Sequence, residues 1–351
     1  RFAAIRSQKC ASRKTHLAPS DWLANSLSFQ PRAPASSILR TTRMKTTNLD
    51  VIIVGAGFSG IYMLHKCRTL GLSARVIEAG TDVGGTWYWN RYPGARCDVE
   101  SMTYSYSFLK DLEQEWRWPE RYAVQSEILR YINHVVDRLD LRDDIQVESR
   151  VTEAVFDDTT NRWAVATDAG DRFSAKYCIM ATGCLSTPNL PQFKGLDQFE
   201  GDWYHTGFWP KEGVDFAGKR VGIVGTGSTG IQSIPIMAEQ ADHLTVFQRT
   251  PNFSIPAWNG PISDDADRAW KKAYPELRAR ARVSPVGSPF ESPEISALDV
   301  SDAEREQIFE TRWQQARSTS WPRFPTCSRA KRRTSTRSTS STARFVSEST
   351  I

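Results

Sequence analysis

Two glycine runs define the chemistry open to this chain: Gly55-Ala56-Gly57-Phe58-Ser59-Gly60 and Gly225-Thr226-Gly227-Ser228-Thr229-Gly230, both of the form G-x-G-x-x-G. Glycines at these spacings permit a tight strand-to-helix turn. They also let a pyrophosphate approach the free N–H groups at the helix start, where the dipole favours anions. The pattern alone is weak, because glycines also occur in ordinary turns. Each copy here follows an apolar strand candidate, at 51–54 and 220–224, and opens a helical stretch, so two dinucleotide sites are expected. The sites differ eighteen residues past the last glycine, where the first has Glu78 and the second Gln248. A carboxylate accepts hydrogen bonds from ribose hydroxyls and repels a 2′-phosphate, so Glu78 favours FAD or NAD. Gln248 is followed by Arg249 and Thr250, which can neutralise and hydrogen-bond a 2′-phosphate, and NADPH is expected there. The plainer alternative makes Arg249 a surface ion-pair partner.

Two further segments carry unusual residues. Residues 84–101, GGTWYWNRYPGARCDVES, set glycines beside aromatics and a compact Arg96-Cys97-Asp98 group, which suits a backbone wrapped around a flavin; the aromatics alone read equally well as core. Residues 199–210, FEGDWYHTGFWP, place Phe199, Gly201, His205, Trp209 and Pro210 in the pattern F-x-G-x-x-x-H-x-x-x-W-P.

These two segments resemble the active-site loop and the fingerprint of Baeyer-Villiger monooxygenases, and the resemblance runs from about Met44 to Trp313. It implies FAD and NADPH as cofactors, a small ketone and O2 as substrates, and insertion of one oxygen atom beside the carbonyl to give an ester or lactone. It further implies that Gly55, Gly57, Phe58, Ser59 and Gly60 hold FAD, with Glu78 on its ribose. Gly84, Gly85, Thr86 and Trp87 would line the flavin, with Arg96, Cys97, Tyr104 and Val151 as further contacts. Asp98 would act as a catalytic residue near the isoalloxazine and nicotinamide, helping to position the family's active-site arginine. Gly225, Thr226, Gly227, Ser228, Thr229, Gly230, Ile231, Arg249 and Thr250 would hold NADPH, while the fingerprint residues would couple domain rotation to cofactor position. The plain alternatives are a structural hydrogen-bonding role for His205 and a simple salt bridge between Asp98 and Arg96. Two other functions stay open: a flavin-dependent N- or S-hydroxylating monooxygenase, and a non-catalytic flavin-binding remnant.

The elements that must position these residues follow from periodicity. A βαβ opening is expected, with a strand at 51–54, a helix from Ser59 to about Leu70 and a strand ending at Glu78. Ile128, Ile132, Val135, Val136 and Leu139 recur at helical spacing behind Ser126-Glu127. Stretches 151–156 and 163–167, split by DDTTNR, read as a hairpin, and 177–180 as a buried strand. The second unit spans strands at 220–224 and 244–247, and 264–313 is mostly helical around a Ser/Pro-rich loop. The expected fold class is α/β, with two Rossmann-like dinucleotide-binding domains, the second interrupted by a helical segment and incomplete. The divisions are a basic segment 1–43, a first part of the FAD-binding domain 44–198, the linker 199–210, a first part of the NADP-binding domain 211–263, a helical segment 264–317 and a Ser/Thr/Arg-rich tail 318–351.

The net charge of +5 is uneven: 1–43 carries +7 and 318–351 carries +6, which leaves −8 in 44–317 and argues against a nucleic-acid groove. Cys10, Cys67, Cys97, Cys178, Cys184 and Cys327 form no C-x-x-C pair, which counts against a disulfide reductase, and neither they nor the five histidines show metal-ligand spacing. No run is long and apolar enough to span a bilayer, so a soluble, cytoplasmic protein is expected. Residues 1–43 resemble either a disordered tail or a mitochondrial transit peptide, unless the true start is Met44. In the resembled family the active-site arginine and the strands completing both nucleotide domains fall past the equivalent of Trp313. Here the composition turns Ser/Thr/Arg-rich at that point, so the expectation is an out-of-frame or mis-spliced tail and a catalytically dead fragment.

Overall fold

Val51, Ile52 and Ile53 have no polar alternation, the mark of a parallel strand covered on both faces, and all three are buried. The structure, a computed structural model, describes residues 46–250, 257–284, 287–289 and 299–317. Its first unit opens with β1 (Thr46–Val54), α1 (Phe58–Thr69) and β2 (Ala74–Ile77), and β1 pairs β2 in parallel from Val51 opposite Ala74 to Val54 opposite Ile77. Val51 and Ile53 pack on one sheet face with Ile61, Leu64 and Cys67 of α1; Ile52 packs on the other with Ile77, Val165 and Phe173.

The helical side continues with α2 (Thr86–Trp89), α3 (Lys110–Glu115) and α4 (Gln125–Arg138). Ile128, Ile132, Val135 and Val136 of α4 are at most 1% exposed. Burying each such side chain contributes about 1.5–3 kcal/mol before the entropy of ordering is set against it. The sheet is completed by β3 (Ile145–Gln146), β4 (Val151–Asp157), β5 (Arg162–Thr167) and β6 (Arg172–Met180), in the order β3-β2-β1-β6-β5-β4. The pairs from β3 to β6 are parallel and the β6-β5-β4 meander is antiparallel.

One expectation is corrected. Segment 177–180 is a strand but not a buried one: Tyr177 is 60% and Met180 61% exposed. The reason lies in the pairing, because β5 meets β6 only from Arg172 to Ala175, and beyond that point β6 has β1 alone as a neighbour among the described residues.

The second unit has β7 (Arg220–Val224), α5 (Ser228–Gln240) and β8 (His243–Phe247), with β7 and β8 parallel from Arg220 opposite His243 to Val224 opposite Phe247. Among the described residues these two strands pair only with each other. Two helices follow, α6 (Asp264–Val283) and α7 (Asp302–Arg317). The start of α6 is well marked: Ser263 Oγ accepts from Ala266 N, Asp264, Asp265 and Asp267 fill the first turn, and Arg280 and Arg282 the last. Its buried Tyr274 joins the first unit's core. The readings for 1–43, for 318–351 and for Cys10 and Cys327 lie outside the described residues.

Candidate active site

The first glycine loop is held by contacts that no side chain could share. Gly55 has φ +105°, and a Cβ there would lie 2.6 Å from Ala181 O; a Cβ on Gly60 would lie 1.9 Å from Gly55 O. Gly57 faces Gly85, which has φ +53°, and a Cβ on Gly85 would lie 2.8 Å from Gly57 Cα. Two runs far apart in sequence thus meet backbone to backbone, leaving a narrow cradle with polar edges. Glu78 follows the end of β2 and is buried, its Oε2 accepting from Ala56 N and its Oε1 from Gly80 N, each at 2.7 Å. A carboxylate has about four acceptor positions, so both oxygens keep capacity for ribose hydroxyls.

Aromatic rings wall this cradle. Trp87 Nε1 donates to Tyr104 Oη at 3.1 Å with the rings edge to face at 5.7 Å, and Phe58 meets Tyr104 at 5.2 Å and Tyr106 at 4.9 Å. Tyr106 Oη donates to Phe58 O at 2.6 Å. Burial raises the Tyr104 hydroxyl above its ordinary pKa, keeping it neutral. Ser59 and Thr86 stand at the starts of α1 and α2, and Gly84, with φ +134°, precedes Gly85. Val151 lies elsewhere, packed at the start of β4 against the core of Ile52 and Ile77 rather than with the aromatic wall.

Arg96, Cys97 and Asp98 diverge. Cys97 is buried, and its thiol is pushed up to about 11 by that burial. Asp98 is exposed, with no side-chain hydrogen bond or ion pair among the described residues, and its charge reaches the Tyr92 and Tyr104 hydroxyls. The simple Asp98–Arg96 salt bridge is therefore corrected. An antiparallel bridge between Arg96 and Val124 delivers the guanidinium to Glu120, at 3.5 Å, and to Tyr122 O, at 3.3 Å, while the chain bends at Asp98.

The second loop repeats the shape of the first. Gly225 has φ +102° and a Cβ on Gly230 would lie 2.4 Å from Gly225 O, whereas a Cβ on Gly227 would meet nothing within 4 Å. Gly227 precedes Ser228, Thr229, Gly230 and Ile231 in the first turn of α5. Gln248 donates to Thr226 Oγ1 at 2.9 Å, and Arg249 and Thr250 are exposed beside it. Sequence reasoning missed Gln232, one turn further along α5. Its Oε1 accepts from Tyr92 Oη at 3.0 Å and Arg96 N at 3.2 Å, and its Nε2 donates to Arg96 O at 3.1 Å. Gly94, with φ +75°, permits this approach, since a Cβ there would lie 2.1 Å from Gln232 O. That glycine was the only hint of the contact in the sequence.

In the linker, His205 Nδ1 accepts from Gly207 N at 3.2 Å and caps the turn Thr206–Phe208, and burial lowers its pKa. This geometry agrees with a structural His205. Trp209 is buried among Phe216, Ile223, Ile234 and Met237, next to half-buried Pro210, while Phe199 is exposed with its ring across Gly201. Among the described residues no cluster of three His, Cys, Asp or Glu is arranged to hold a metal ion, and no helix is long and apolar enough to cross a membrane.

Comparison with known proteins places this geometry. The family model described as pyridine nucleotide-disulphide oxidoreductase matches residues 52–260. A Baeyer-Villiger monooxygenase of Pseudooceanicola batsensis is 46% identical over 280 residues, covering 79% of this chain and 51% of that protein. A phenazine N-monooxygenase, PhzNO1, of Lysobacter antibioticus is 44% identical, covering 76% of this chain and 50% of that one. Among solved structures, an oxidized steroid monooxygenase bound to NADP superimposes with a TM-score of 0.73 at 56% identity, covering 76% of this chain and 51% of that one. The chain spans about half the length of the relatives it matches. With two glycine loops, an aromatic cradle, the fingerprint linker and no C-x-x-C pair, the chain belongs to the pyridine nucleotide-disulphide oxidoreductase family and, within it, to the Baeyer-Villiger monooxygenases, which are FAD- and NADP-dependent flavoproteins.

Proposed function

We propose that the whole protein is an FAD- and NADPH-dependent Baeyer-Villiger monooxygenase, inserting one atom of O2 beside the carbonyl of a small ketone to give an ester or lactone. The observation that carries this reading is the fingerprint linker, whose Trp209 is buried in the second glycine unit directly after the cap on His205. The first site fits FAD on one structural ground: a Cβ on Gly85 would fill the cradle it forms with Gly57. When bound, FAD and NADPH supply the hydride transfer and the oxygen activation.

The chain's own residues bind, orient and exclude water. The N–H groups of Gly57, Phe58, Ser59 and Gly60 hold the FAD phosphates and Glu78 accepts from its ribose. Gly84, Gly85, Thr86, Trp87 and Tyr104 cover the flavin, and Cys97, neutral and buried, packs behind them. Asp98, solvent-facing beside this wall, orients the groups that meet the nicotinamide. In the second unit Thr226 to Ile231 bind the NADPH phosphates, and Arg249 with Thr250 takes the 2′-phosphate. Arg96 and Val151 support the site from outside the aromatic wall. We read the protein's location as cytoplasmic, or mitochondrial if 1–43 acts as a leader.

Incubation with NADPH, O2 and cyclohexanone tests the reading: lactone formed in proportion to NADPH consumed supports it. N-hydroxylation is a second reading, favoured by the 44% identity to a phenazine N-monooxygenase; N-oxide without lactone would select it. Bound FAD with NADPH oxidation at background would mark a flavin-binding remnant.

A further inference from the structure

Helix α6 follows the second glycine unit in sequence, yet one of its largely buried charges, Arg278, is spent on the first. Arg278 is 18% exposed and pairs through Nε with Glu113 Oε1 at 2.8 Å, Glu113 being 8% exposed. The rest of its guanidinium closes on a stretch of three residues. Nη1 donates to Thr103 O at 3.1 Å, and Nη2 donates to Ser105 O at 3.2 Å and to Ser105 Oγ at 2.8 Å. The carbonyls so gripped belong to the residues immediately before and after Tyr104. Tyr274, one turn back on α6, lies under the guanidinium at 5.1 Å and is itself buried.

We infer that Arg278 is a positioning residue for the flavin wall: its planar fork fixes the backbone on both sides of Tyr104 and thereby sets the Tyr104 ring against Trp87 and Phe58. Only guanidinium has the geometry. Its donors diverge in one plane and reach a carboxylate and two carbonyls together, whereas a lysine ammonium offers a single point. The anchoring spans 173 to 175 residues of sequence, so the helical segment controls the shape of a site it does not line. The inference rests on the reading of the first glycine unit as an FAD site with Tyr104 on its wall.

The test uses the full chain and FAD, read by quenching of FAD fluorescence and by the visible absorption band of bound flavin. Arg278→Lys keeps a cation beside Glu113 and removes the fork. It is expected to weaken FAD binding about tenfold, the scale of one charge-assisted hydrogen bond, and to broaden the flavin band. In a Tyr104→Ala background the same change is expected to cost less than about twofold, because the ring being positioned is gone. Equal losses with and without Tyr104, or native affinity and spectrum in Arg278→Lys, would overturn the positioning role while leaving the FAD site standing. A native chain that binds no FAD would overturn the site reading, and this inference with it. Circular dichroism of each variant separates loss of fold from loss of positioning.

Discussion

The two glycine units share one local design and differ in what surrounds it. In both, the first glycine takes a positive φ and the last lies against the carbonyl of the first. The first unit sits in a six-stranded sheet, with Gly85 pressed onto Gly57 and its strand-end carboxylate turned inward. Among the described residues the second sits on two strands, with Val224 71% and Phe247 55% exposed, Gly227 facing open space and Gln248 at the surface. The lesson is that the motif specifies a turn, while the number of covering layers determines how far that turn is pre-organised for its ligand.

The largest test of this contrast is steric. Gly60→Ala puts a methyl group 1.9 Å from a backbone oxygen and is expected to cost about 3 kcal/mol or more, read as a lowered midpoint or lost cooperativity in thermal melting. Gly227→Ala, with no atom within 4 Å, is expected to leave the melt within about 0.5 kcal/mol of native while weakening NADP binding. Equal melting of the two variants would show that the close approach at Gly60 does not constrain the first loop more than the open position at Gly227 constrains the second.

Next in size is the strand-end residue. Glu78→Ala strands the buried N–H groups of Ala56 and Gly80 and is expected to cost about 2 kcal/mol in urea denaturation. Gln248→Ala is expected to cost under about 0.5 kcal/mol, since only an exposed bond to Thr226 is lost. Comparable shifts in the urea midpoint would show that Glu78 is not a structural brace.

Thiol labelling sharpens the difference in cover. Cys184 is exposed, whereas Cys97 is buried with its thiol pushed up to about 11, so at pH 8 iodoacetamide should modify Cys184 first and leave Cys97 unmodified. Mass spectrometry of the peptides decides it, and early labelling of Cys97 would mean that the flavin loop opens readily.

The smallest expected effect is in the linker. The cap on Thr206–Phe208 needs a neutral Nδ1, and burial holds the His205 pKa below its ordinary 6.5. Protonation therefore favours the uncapped state: the cap is fully present above about 6.5 and is lost as pH falls through the lower folded value. Amide exchange at Gly207, corrected for the intrinsic pH dependence, should lose protection as pH falls below about 6.5. The loss should disappear in His205→Asn, whose side-chain oxygen accepts at any pH in that range.

Much of the fold was legible in the sequence for local reasons. The strand-loop-helix of each glycine unit, the α4 stripe and the hairpin at 151–167 all fall where periodicity and turn residues set them, to within five residues at their ends. The exposure of Tyr177 and Met180 was not legible, because an apolar run reads as buried whether or not a neighbouring strand reaches it. The separation of Arg96 from Asp98 was hidden for a related reason: adjacency along the chain says little about which way a side chain leaves a bridge.

By itself, the sequence determined the two nucleotide turns, the choice of Glu78 over Gln248, and the linker, since each depends on residues within a few positions of one another and on the conformational freedom of glycine. Only the tertiary structure decided that Gly57 meets Gly85, that Gln232 holds both backbone groups of Arg96, and that Arg278 grips the chain around Tyr104. Such partners are separated by many residues, and any arginine or glutamine on a helix face looks the same until packing brings one carbonyl, and no other, within hydrogen-bonding distance.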